Sequence, residues 1–186
     1  IDGMEVAKKS EKFRLKGGQT ITLHWLHCDK KGLCNPHANR PLVCKLYPIL
    51  PKVSPNGEIL GFFNGTIFDL FFSDKSHPCT LIRQNRQETQ DMLKANLKDL
   101  LKDPNYIFIF MVANIAVEHL QNYIKAKFGT YIIDDIAPNK LAEFWNEVEM
   151  AMVLRRAWNT HEFASDIEKA YKSVAQIWGE FLPIEP

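Results

Sequence analysis

The chain has 186 residues, 46% of them hydrophobic and 24% charged, with a net charge of +1 at pH 7. That length suits one medium domain, or one core with an appendage, and the composition is that of an ordinary globular chain. With a charge this near zero, composition does not predict nucleic-acid or membrane-surface binding. The longest apolar stretch, Tyr106 to Val117, is shorter than a bilayer span, and Glu118 and His119 follow it.

The first 80 residues hold all four cysteines and most of the prolines and glycines, a composition of turns and short strands. Phe13–Leu15 and Thr20–Leu26 read as strands around Gly17-Gly18. In the second, Thr20, Thr22 and His24 alternate with Ile21, Leu23 and Trp25, the period of a half-buried strand. Pro48 to Pro55 reads as extended, and Pro55-Asn56-Gly57 as a turn. Glu58–Phe63 and Thr66–Phe72 flank Asn64-Gly65, which predicts a hairpin with its turn at that dipeptide. Its phenylalanines, Phe62, Phe63, Phe68, Phe71 and Phe72, are expected to pack against the helices.

Residues 80 to 182 read as helical. Four helices are predicted: Leu81–Lys102, Asn105–Phe128 closed by Gly129, Pro138–Trp158, and Thr160–Phe181 with Thr160 as N-cap. In the last, Phe163, Ile167, Tyr171, Val174 and Trp178 form an apolar stripe. The expected fold class is α+β, an irregular loop and hairpin metal-binding lobe (1–80) packed on a mostly α-helical lobe (81–186), as one cooperative unit.

The cysteines are spaced C-x5-C-x9-C-x34-C, at Cys28, Cys34, Cys44 and Cys79. Thiolates are soft anionic ligands, and four of them suit tetrahedral zinc or an iron–sulfur cluster. The C-x2-4-C knuckle usual in structural zinc sites is absent, and dispersed ligands favour a [4Fe–4S] cluster, with zinc as the alternative. Two disulfides are the competing use of four cysteines, although a chain this long with a large helical half does not need them. Arg40 and Lys45 lie beside the thiols and can offset their charge, while His37 and His77 stand near enough to act as supporting residues or to replace a thiolate.

The run Cys34-x2-His37-x2-Arg40-Pro41-x2-Cys44-Lys45-x-Tyr47-Pro48 resembles the cysteine-cluster family of zinc- or iron-chelating, iron–sulfur cluster proteins. Their core reads C-x2-Y-x2-R-P-x2-C-R-x-[FY]-P, with one cysteine before it and another later. The resemblance covers residues 24 to 80 and implies that Cys28, Cys34, Cys44 and Cys79 are the ligands. His37 replaces the usual aromatic and Lys45 the usual arginine. Such proteins carry a further C-x2-C or C-x2-C-C motif upstream. This sequence begins at Ile1 without it: either the upstream cysteines belong to a longer protein or this is a four-cysteine variant, and the expected ligand count is four.

Three functions follow as expectations. The first is a metal-binding protein with a structural or electron-transfer role, served by a redox or protein partner. The second is a metal-dependent enzyme with an open coordination position, resembling the protein-lysine methylases that carry related cysteine-cluster regions. The third is an interaction module stapled by zinc. The reducing cytoplasm, where thiols remain available to metals, is the expected location. The sequence contains no P-loop, Rossmann glycine fingerprint, G-x-S-x-G or HExxH motif. Glu118-His119 reads as the polar edge of a helix, and Glu143, Glu147, Glu149 and Arg155-Arg156 as a solvated face.

Overall fold

The computed structural model has, among its described residues, two β-hairpins and four long helices, an α+β arrangement. It describes residues 4–14, 20–28, 42–65 and 69–182, with side chains throughout 45–65 and 69–182. The chain divides into two compact units, 1–47 with 182–186, and 48–181.

In the first unit, β1 (Met4–Arg14) pairs antiparallel with β2 (Thr20–Cys28), Arg14 opposite Thr20 and Met4 opposite Cys28. The alternation over Thr20–Leu26 is therefore a strand, extended by two residues. β1 starts nine residues before the predicted Phe13, because Lys8, Lys9, Ser10, Glu11 and Lys12 hide it from a hydrophobic pattern. Leu15 and the Gly17-Gly18 turn lie outside the described residues. A five-residue helix, α1 (Leu42–Leu46), follows.

In the second unit, β3 (Ile49–Val53) and β4 (Ile59–Asn64) form the other hairpin. Its turn is the predicted Pro55-Asn56-Gly57. The Gly57 N–H donates to the Ser54 carbonyl at 2.9 Å, the Glu58 N–H donates to Ser54 Oγ at 3.0 Å, and Gly57 takes φ +86°.

The hairpin expected at Asn64-Gly65 is not formed. β4 pairs with the strand before it, and the Gly65 N–H donates to the Pro48 carbonyl at 2.7 Å, closing the open end of that ladder. Asp69–Phe71, expected in a strand, is a 3₁₀ turn, entered by way of Asn64, whose Nδ2 donates to the Asp69 carbonyl at 2.9 Å. Residues 66–68, with Phe68, lie outside the described residues.

α2 (Thr80–Leu97) kinks at Asn85, where φ is −130° and ψ is 32°. It ends five residues before the predicted Lys102, and Leu100–Lys102 is a separate 3₁₀ turn. α3 (Pro104–Phe128) has Pro104 in its first turn, the Asp103 side chain as N-cap, and Gly129 at φ +79° as its left-handed C-cap. α4 (Leu141–Val153) stops before the predicted Trp158. Arg155 there takes φ +54°, its N–H donates to Met152, and the next N–H donates to Ala151, a Schellman-type ending with arginine in the glycine position. α5 (His161–Trp178) begins at the predicted cap, with Thr160 Oγ1 accepting the Phe163 N–H at 3.1 Å.

The core forms where the Asp69–Phe71 turn meets α3 and α4. Phe71 and Phe144 are fully buried, edge to face with centroids 5.5 Å apart, and Phe128 and Trp145 complete the ring cluster around Phe144. Burying each such ring contributes about 1.5–3 kcal/mol. α5 lies along α3, joined by Phe108 against Tyr171 at 5.9 Å. Trp178, on the predicted stripe, is 38% exposed and anchors its end by donating from Nε1 to the Pro55 carbonyl at 3.0 Å.

Among the described residues α3, with the segment to Asp135, is the one helical stretch long and apolar enough to cross a bilayer, at a mean hydropathy of 1.3. In this structure it packs on α5, α4 and β3.

Candidate metal site

Cys79 is the expected ligand whose side chain the structure describes. It stands at the N-cap of α2 in extended backbone, partly exposed and without a disulfide. The turn that presents it is pinned at several points. Arg83, in the first turn of α2, donates to the carbonyls of His77 at 2.5 Å and Pro78 at 3.0 Å. Arg86 joins Asp74 at 2.7 Å to Asn64 Oδ1 at 3.2 Å. Ser73 and Ser76 both donate to Asp134 Oδ2, at 2.5 and 2.7 Å, and those hydroxyls hold the Asp134 carboxyl below its ordinary value.

His77 is the buried member of this turn. Its ring is fully buried, edge on to Phe72 at 6.5 Å. Nδ1 accepts the Cys79 backbone N–H at 3.0 Å, which leaves the ring proton on Nε2. Nε2 stands 3.8 Å from Asp69 Oδ2, beyond hydrogen-bonding distance. Burial pushes the His77 pKa down, against the opposing pull of Asp69, which favours the neutral ring.

The remaining expected residues are placed less fully. Cys28 is the last residue of β2 and Cys44 lies within α1, but the side chains of both are outside the described residues. Lys45, next to Cys44, is exposed. Cys34, His37 and Arg40 lie outside the described residues altogether. Among the described residues, no group of three or more His, Cys, Asp or Glu is arranged to hold a metal ion.

A second polar cluster lies in a groove of about 370 Å³ between α3 and α5. His119 Nε2 meets Asp166 Oδ2 at 3.1 Å, above an edge of Phe163. Lys169 donates to the other Asp166 oxygen at 2.8 Å, and Lys52 of β3 donates to Glu118 at 2.7 Å. Lys169 and then His119 draw the Asp166 pKa down. The carboxylates already have cationic or imidazole partners, so the cluster works as a clamp between α3, α5 and β3. Similarly, Glu147 is a meeting point between helices. One of its oxygens accepts from Tyr123 at 2.8 Å, Lys127 at 2.7 Å and Arg156 at 3.2 Å.

No family model, curated protein or solved structure matches this chain.

Sequence reasoning singled out Cys79 and its neighbour His77 as candidates, and did not foresee either carboxylate cluster. Asp166 meets His119 across 47 residues and Glu147 meets Tyr123 across 24, separations with no local spacing to betray them. Within α5, Asp166 and Lys169 at i,i+3 read as one more surface pair.

Proposed function

We propose that this chain holds one iron–sulfur cluster, [4Fe–4S], through Cys28, Cys34, Cys44 and Cys79, as a structural crosslink or an electron carrier in the cytoplasm. The observation that carries this reading is the Cys79 thiol. It is the fourth thiol of a C-x5-C-x9-C-x34-C spacing, it is free of a disulfide, and it is presented by a turn fixed on both flanks.

The donor chemistry fits the group. Four thiolates around such a cluster leave a charge of about −2, which needs positive groups nearby. Cys79 meets the positive end of α2, and Arg83 lies one turn into that helix. Lys45 follows Cys44 in sequence and is exposed, and Arg40 precedes it by four residues. When bound, such a cluster supplies one-electron chemistry or a rigid crosslink between chain segments. The protein's part is to present the thiols from stiff backbone, which the prolines at 36, 41, 48 and 78 provide.

Anaerobic purification with metal and sulfide analysis tests this reading. A brown protein with broad visible absorption and about four irons and four sulfides per chain is expected. A colourless protein carrying about one zinc per chain overturns the cluster in favour of a structural zinc site with the same ligands.

A further inference from the structure

The bond from the Cys79 N–H to His77 Nδ1 runs from residue i+2 back to residue i. An asparagine makes that bond with its own side chain in an Asx turn. The ring's place against Phe72, in turn, needs only a phenylalanine. Histidine satisfies both demands, but at a cost, because Nε2 is buried with no hydrogen-bond partner among the described residues. A group required only for packing would be replaceable by phenylalanine, which carries no such cost.

We infer that His77 is the positioning residue for the Cys79 ligand: its rigid, buried ring holds the Cys79 amide and so aims the thiol. This rests on the four-cysteine reading above. The ring is anchored in the core by Phe72, and Arg83 fixes the carbonyls of His77 and Pro78. Cys79 is thus held through its own N–H while the residue stays partly exposed. Supporting groups that orient a ligand in this way typically govern metal retention about ten- to a hundredfold.

Two substitutions separate positioning from packing. His77→Phe keeps the ring and removes the acceptor. His77→Asn keeps an acceptor for the Cys79 N–H and leaves a gap beside Phe72. The full-length wild type and both variants are reconstituted anaerobically with ferrous iron and sulfide. Loss of visible absorption in excess chelator is then timed, and thermal unfolding is recorded in parallel. His77→Phe is expected to lose its cluster about ten- to a hundredfold faster than wild type. His77→Asn should retain it at the wild-type rate despite unfolding at a lower temperature than His77→Phe. Cluster loss that follows thermal stability, or that equals wild type in both variants, overturns the inference while the four-cysteine reading stands. A wild-type chain that takes up no iron and sulfide removes that reading, and the inference with it. Should His77→Phe not fold, His77→Leu replaces it, since leucine has no acceptor for the Cys79 N–H, and the same outcomes apply.

Discussion

His77 Nε2 and Asp69 Oδ2 face each other at 3.8 Å in the interior, next to the turn that carries Cys79. Burial favours the neutral imidazole in the fold, lowering its pKa from 6.5. The unfolded chain takes up a proton on this histidine near pH 6.5, and the folded chain does so only at lower pH. The stability this difference contributes is therefore fully present above about pH 6.5. It is lost as pH falls from there toward the folded value, by up to about 1.4 kcal/mol per pH unit. Urea midpoints measured between neutral and mildly acidic pH should fall in wild type and fall less in His77→Phe. Parallel curves for the two proteins would contradict this account of His77.

Arg155 occupies the left-handed position at the end of α4, φ +54°, where glycine carries no side-chain penalty. Arg155→Gly should stabilise the protein by about 0.5–1 kcal/mol, the relief of the left-handed strain exceeding the added freedom of the unfolded chain. Thermal unfolding of the two proteins measures it, and a lower melting temperature for the variant would contradict it.

Gly57 is required for a different reason. A side chain there would need φ +86°, and its Cβ would run into the carbonyl oxygen of Leu101 and approach Ile107. Since backbone cannot swing aside as a flexible side chain can, Gly57→Ala should cost about 2–4 kcal/mol. Denaturant titration of the variant checks this, and a cost below 1 kcal/mol, the level of an ordinary surface change, would contradict it.

The groove between α3 and α5 holds a clamp that includes none of the four cysteines. His119→Ala removes the link to Asp166 and an edge contact with Phe163. With its side chain 20% exposed and Asp166 at 40%, the loss should be about 1 kcal/mol. Iron and sulfide per chain should be unchanged. Loss of metal in this variant, without unfolding, would place the groove in the site.

Much of the helical unit could be read in advance because its signals are local. Thr160 caps α5, Pro104 opens α3 and Gly129 closes it, each where cap chemistry predicts. The errors arose where distant contacts overrode local preference. Asn64-Gly65 is a good hairpin dipeptide, but β4 finds a better partner in β3, held by the Pro48–Gly65 bond. Val153 to Trp158 continues an apolar helical pattern, but the chain turns at Arg155, a residue that gives no stop signal. At the candidate site, the cysteine spacing singles out Cys79 and its proline-stiffened turn as a proposal, whereas the hold of His77 Nδ1 on the Cys79 amide depends on burial that no spacing reveals.

Iron and acid-labile sulfide, measured per chain after anaerobic purification of wild type and of each Cys→Ser variant at positions 28, 34, 44 and 79, test the central claim most directly. The account predicts about four of each in wild type and a marked loss in every variant. Wild type without iron, or a Cys79→Ser protein with an undiminished cluster, would contradict it.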